Sequence, residues 1–106
     1  AGPDVALTPR QAITWGMIVH ELATNAAKYG ALSQNDGDVR ISWRLASPEE
    51  LAFDWRETGS TPIAAPARKG FGTLFVERAS ANDLSGKAIF DYRSDGLHVA
   101  IRATLG

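Results

Sequence analysis

Between Val39 and Trp55 the chain alternates apolar and polar residues twice over. Val39, Ile41, Trp43 and Leu45 share one face of an extended segment, and Arg40, Ser42 and Arg44 share the other. That is the pattern of a half-buried strand, expected over Asp38 to Leu45. Ser47-Pro48-Glu49-Glu50 makes a turn, after which Leu51, Phe53 and Trp55 resume the alternation as an antiparallel partner. Glu57 then occupies the next core-facing position. A carboxylate there is costly unless it is hydrogen-bonded. Two readings stay open on pattern alone. Either the strand ends in a pocket where Glu57 accepts an N–H from a ligand, or the strand frays and Glu57 turns to solvent.

Helical signals flank this pair. Thr8 can cap, Pro9 suits the first helical position, and Gln11 stands three residues after Thr8 as in a capping box. The helix is expected to reach about Tyr29, stopped by Gly30, with Trp15, Val19, Leu22 and Ala26 as its core stripe. Residues Thr58 to Lys69 have no period and contain Pro62 and Pro66, which marks a functional or mobile loop. A second helix is expected over about Thr73 to Asp83, with Phe71, Leu74, Phe75 and Ala79 at helical spacing. Ala88, Phe90 and Tyr92 alternate, Asp95-Gly96 offers a two-residue hairpin turn, and Leu97, Val99, Ile101 and Ala103 complete a last strand. Ala1 to Leu7 reads as the tail of something longer, with a turn at Gly2-Pro3-Asp4 and an extended Val5 to Leu7. The expected fold class is α/β (α+β): a two-layer domain whose mixed, antiparallel-rich sheet is covered by helices on one face.

Composition narrows the function classes. One hundred and six residues make one domain, 1–106, at roughly 100–200 residues per domain. Eleven basic against twelve acidic residues leave a net charge of −1. That argues against a non-specific nucleic-acid binder or a polybasic membrane binder. The chain has no cysteine, which excludes disulfides and thiolate metal sites and agrees with a reducing cytoplasm. No apolar run approaches the ~18 residues of a membrane span.

Within the first helix, Glu21, Asn25 and Lys28 stand at i, i+4 and i+7 and share one narrow face, away from the apolar stripe. A carboxylate, an amide and an ammonium in a row can orient a water, ligate a hard cation and touch a phosphate. Mg²⁺ takes oxygen ligands and keeps several waters, so one amide oxygen plus nucleotide phosphates makes a reasonable site. The plainer reading of three such residues is a solvated helix face. His20-Glu21 lacks the second histidine of a zinc-protease motif, since position 24 is Thr. Gly70-x-Gly72 before a helix resembles a small phosphate cradle, with Lys69 adding positive charge. Nothing resembles a nucleophilic triad: there is no GxSxG and no cysteine.

The order of these signals is more specific than any one of them. His20-Glu21-Leu22-Ala23-Thr24-Asn25-Ala26-Ala27-Lys28-Tyr29-Gly30 resembles the N box of the HWE branch of sensor histidine kinases. Trp55-Arg56-Glu57 followed by Gly59 resembles its G1 box, and Gly70-Phe71-Gly72-Thr73 its G2 box, with Glu77-Arg78 on the helix that follows. The resemblance covers nearly the whole chain. It implies a Bergerat-type sandwich of the GHKL ATPase group, with ATP between the helical layer and a lid.

Carried over residue by residue, the resemblance implies that Asn25 ligates Mg²⁺ through its side-chain oxygen. Glu21 orients or polarises groups at the γ-phosphate, and Lys28 contacts phosphate. Glu57 accepts the adenine amino N–H where most histidine kinases use aspartate. Gly59 lets the base approach the backbone. Gly70 and Gly72 hinge the lid and, with Thr73, meet the nucleotide. Thr58 to Lys69 is the lid, expected to lack order without nucleotide because few bulky apolar residues pin it. The implied cofactors are ATP and Mg²⁺. The implied partners are a dimerisation and phospho-acceptor domain, expected upstream of Ala1, and a response regulator. Ser60-Thr61-Pro62 stands where the branch usually has a second glycine and a proline. The leading expectation is thus the cytoplasmic catalytic and ATP-binding domain of a histidine kinase. The alternatives are a nucleotide-binding or protein-interaction module without turnover and, against the Trp55/Glu57 pair, an anti-sigma-type serine kinase. His98, mid-strand, is a poor phospho-acceptor.

Overall fold

A computed structural model describes residues 2–60, 63 and 70–105 of the chain. The first helix, α1 (Pro9–Lys28), starts as its sequence dictates. Thr8 accepts from the Gln11 backbone N–H, and the Gln11 side chain accepts from the Thr8 N–H, closing the capping box. A short 3-10 turn, Ala31–Ser33, which the periodicity does not show, leads to β1 (Asp38–Ser47) and β2 (Glu50–Thr58). Then come α2 (Phe71–Asn82), β3 (Lys87–Arg93) and β4 (Gly96–Thr104). The strand order is β1-β2-β4-β3, and all three pairings are antiparallel.

Register aligns the inward residues in cross-strand rows. Val39, Glu57, Leu97 and Tyr92 form one row, and Ile41, Trp55, Val99 and Phe90 the next. Both helices pack on this face, so the molecule is a two-layer sandwich with its core between helices and sheet. Trp15 of α1 meets Phe53 of β2, ring centroids 4.9 Å apart and tilted. Asp83, just after α2, ties the two helices together by accepting from Arg10 at 3.2 Å and from the Thr14 hydroxyl at 3.4 Å. Among the described residues no helix is long and apolar enough to cross a membrane.

Several local expectations are corrected. The β3–β4 turn is Ser94-Asp95, because Arg93 pairs with Gly96 and Gly96 already opens β4. Gly96 has φ +149°, and a Cβ there would run into the Glu57 carbonyl, so the glycine serves the close approach of β2 rather than the turn. Phe71, expected in the core stripe of α2, is 89% exposed. The helix packs through Ala79, as expected, and through Val76 and Ser80, small residues that let it lie close to the sheet. In α1, Ile18 is fully buried and Val19 only half-buried. Val5 and Leu7 form no strand but pack against the core, and the Trp43 indole donates to the Pro3 carbonyl at 2.7 Å.

The outer face of the sheet is polar. His98 lies there, with Nε2 2.7 Å from an Asp54 carboxylate oxygen, on the opposite side of β4 from Leu97 and Val99. The loop Thr58 to Lys69 is described only at Thr58–Ser60 and Ile63, of which Ile63 is buried. The expected lid and its order without nucleotide lie outside the described residues, as does Lys69.

Candidate functional site

Helical spacing carries Glu21, Asn25 and Lys28 to the edge of α1 that looks past the N-terminus of α2. There they line a cavity of about 550 Å³ that also takes in Gly30, Glu57, Gly70, Gly72 and Thr73. α1 forms one wall and the first turn of α2 another. The inward residues Glu57, Leu97, Phe90 and Tyr92 of the sheet form the floor. An apolar floor with a few convergent polar groups suits a planar base carrying polar substituents.

Gly72 is what lets the walls meet. A Cβ on it would lie 2.7 Å from a Glu21 carboxylate oxygen and 2.9 Å from the Asn25 side-chain nitrogen. Gly70 caps α2 without any side-chain hydrogen bond, and the first helical bond runs from Leu74 N–H to the Gly70 carbonyl. The N–H groups ahead of Leu74 are left for another acceptor, beside a helix dipole that favours anions. Around Gly70 itself a Cβ would meet open space. Replacing Gly72 with alanine is expected to separate two outcomes. Thermal stability holds or rises, because alanine favours helix by up to about 1 kcal/mol over glycine. Mg-nucleotide affinity falls about tenfold as Glu21 and Asn25 are pushed aside, each 1.4 kcal/mol being tenfold. Paired melting and titration curves check both signs.

Glu57 is 3% exposed, which decides between the two readings of its position: it does not turn to solvent. One carboxylate oxygen accepts from the Ala31 backbone N–H at 3.0 Å, the other from the Trp55 indole N–H at 2.8 Å. A carboxylate offers about four lone-pair sites, so acceptor capacity remains on the cavity floor. Tyr92, in the same cross-strand row, has its phenol pKa raised from 10.0, first by burial and then by the negative charge of Glu57. The folded chain therefore holds that proton more tightly than the unfolded one. This contribution to stability is complete below about pH 10 and is lost as pH rises through the folded value. Denaturant unfolding between pH 9 and pH 12 should show a loss of stability that Tyr92→Phe makes shallower.

Gly59 stands apart from the cavity lining. A Cβ on it would collide with the Gln34 side chain, and its N–H donates to the Asp95 carbonyl at 3.3 Å. His20 is exposed, with its carbonyl accepting from the Thr24 hydroxyl at 2.8 Å. Among the described residues no group of three or more His, Cys, Asp or Glu side chains could hold a metal ion. Any cation here therefore takes few protein ligands. The Asn25 amide oxygen and Glu21 beside the glycine cradle fit Mg²⁺ that keeps waters and phosphate oxygens.

No protein-family model matches the chain. It is 31% identical over 108 residues to a blue-light-activated histidine kinase of Brucella anthropi, a match that covers 99% of this chain. The chain is homologous to one segment of these blue-light-activated histidine kinases. It spans 22% of the length of the curated relatives it matches. Among solved structures, the histidine kinase domain of the Erythrobacter litoralis EL346 blue-light-activated kinase superposes with a TM-score of 0.81 at 21% identity. That match covers 98% of this chain and 49% of that one. A mycobacterial sensor histidine kinase, MprB, gives 0.69 at 17% identity, over 89% of this chain and 72% of that one. The fold is the Bergerat-type sandwich of the GHKL ATPases.

Sequence reasoning named none of Gly30, Phe90 and Tyr92, which line the cavity, nor Trp55 beneath it, as a ligand-site residue. The alternation of β3 already put Phe90 and Tyr92 inward. That they face an opening rather than a helix depends on how α1 and α2 spread, which no local pattern records. Gly30 reads as a helix stop, yet its φ is −110°, outside the left-handed region. A Cβ on it would collide with a Glu57 carboxylate oxygen.

Proposed function

We propose that this chain binds Mg-ATP in the cavity and donates the γ-phosphoryl group to a histidine on a separate dimerisation domain. In the transfer, the bond between the γ-phosphorus and the β–γ bridging oxygen breaks. A bond forms from the γ-phosphorus to an imidazole nitrogen, and ADP leaves. The phosphoryl group then passes to an aspartate of a response regulator. The observation that carries this reading is the convergence of Glu21, Asn25, Lys28 and Glu57 on one cavity beside the unfilled first turn of α2.

Phosphoryl transfer asks a protein mainly for positioning and charge stabilisation. Asn25 holds Mg²⁺, which neutralises phosphate charge when bound. Glu21, next to it across Gly72, orients groups at the γ-phosphate. Lys28 and the free N–H groups at Gly72 and Thr73 meet phosphate oxygens, and Gly70 gives the chain freedom where the lid joins α2. Glu57 accepts the adenine amino N–H from the cavity floor. In this reading Gly59 acts on the base-side loop from outside the cavity lining. The compartment is the cytoplasm, where ATP and the response regulator are.

Supplying a dimerisation domain in trans with γ-labelled ATP tests turnover. Label appearing on its histidine supports the kinase reading. Nucleotide binding with no transfer favours the second reading, a binding module without turnover, for which Ser60-Thr61 in the base-side loop speaks.

A further inference from the structure

We infer that Trp55 is a positioning residue for base recognition, acting through Glu57, and that Gly30 is glycine to leave that carboxylate its place. This rests on the reading of Glu57 as the acceptor for the adenine amino group. Trp55 and Glu57 are 2% and 3% exposed, two residues apart on the inward face of β2. The indole N–H donates to one carboxylate oxygen at 2.8 Å, and the Ala31 N–H donates to the other at 3.0 Å. Both donors approach from the protein side, so the carboxylate is held in one orientation before any base arrives. Among the described residues its hydrogen-bond donors are these two neutral N–H groups, so its buried charge rests on them and on whatever the cavity supplies.

The Ala31 donor is fixed by the backbone just after α1, in the 3-10 turn. It reaches Glu57 only because residue 30 has no side chain, since a Cβ on Gly30 would occupy the position of that carboxylate oxygen and come within 3.0 Å of the Ala26 Cα. The other donor is a side chain that reaches forward along its own strand, from Trp55 to Glu57. A glutamate rather than an aspartate fits this arrangement: the longer arm spans from β2 to both donors. Other aromatic side chains fill the core at position 55, but phenylalanine brings no N–H. Trp55 therefore has two separable roles, packing and orientation, and only the second concerns the ligand.

Binding of ATP and of purine riboside triphosphate, which lacks only the 6-amino group, separates them. The wild type is expected to prefer ATP about ten- to hundredfold, as suits a hydrogen bond to a charged acceptor. Trp55→Phe is expected to cut that preference about tenfold while the purine analogue binds within a factor of about three of wild type. Gly30→Ala should likewise lower the preference for ATP by displacing the carboxylate, and it carries the test if Trp55→Phe does not fold. An unchanged preference in the folded variants, or an equal loss for both nucleotides, overturns the inference. A wild type that binds both nucleotides equally overturns the reading of Glu57 itself, and the inference with it.

Discussion

Replacing Glu57 with glutamine is expected to lower the unfolding free energy by about 2 kcal/mol and to abolish the preference for adenine. Both carboxylate oxygens accept from buried donors, the Ala31 N–H and the Trp55 indole N–H. An amide has one oxygen, so its NH₂ must face one of those donors, and that N–H loses its acceptor. Two effects oppose each other. The neutral amide avoids the desolvation of a buried charge, which favours the variant. Yet an unsatisfied buried donor costs about 1–3 kcal/mol, and a charge-assisted bond is about twice as strong as a neutral one. The two losses outweigh the single gain. For a domain of this size about 2 kcal/mol lowers the melting temperature by roughly 10 °C, which calorimetry resolves. A melting temperature equal to wild type would mean that relief of the buried charge fully offsets the lost hydrogen bonds.

Asn25→Ala should leave the fold in place and remove function. Asn25 is half-buried at the cavity edge, and no hydrogen bond to its side chain is among those described within the fold. The alanine gains helix propensity, so melting should not suffer. Phosphoryl transfer is expected to fall at least about 100-fold, the usual scale for one missing group that stabilises transition-state charge. Added Mg²⁺ should no longer raise nucleotide affinity. Transfer kept within a few-fold of wild type would move the metal away from Asn25.

Much of the fold follows from two short-range rules. The capping box at Thr8 and Gln11 starts α1 where the sequence says, and strict alternation puts Leu51, Phe53, Trp55, Val99 and Ile101 inside. Glu57 was legible as an anomaly because it broke the apolar rule while keeping the alternation. What alternation could not say was whether a partner waited there. That depended on the 3-10 turn at Ala31 and on an indole from its own strand, both set by tertiary packing.

The corrected details have the same origin. Phe71 sits at core spacing, but α2 approaches the sheet through Val76 and Ser80, and the first turn overhangs the cavity mouth. The β3–β4 turn moved by one residue because Gly96 is needed against the Glu57 carbonyl, a contact far away in sequence. Gly30 and Gly72 look like ordinary punctuation in the sequence. In the structure each makes room for a carboxylate of the site, Glu57 for one and Glu21 for the other. A glycine's neighbour across space is what sequence spacing leaves out.

The central claim is that the cavity between α1, α2 and the sheet is a Mg-ATP site, and calorimetric titration of this chain tests it most directly. ATP is titrated in the presence of Mg²⁺ and again with the metal chelated, into wild type and Asn25→Ala. One nucleotide is expected to bind per chain, with affinity that falls in wild type when Mg²⁺ is removed and with no such dependence in the variant. An absence of binding by the wild type, or equal Mg-ATP binding by Asn25→Ala, would contradict it.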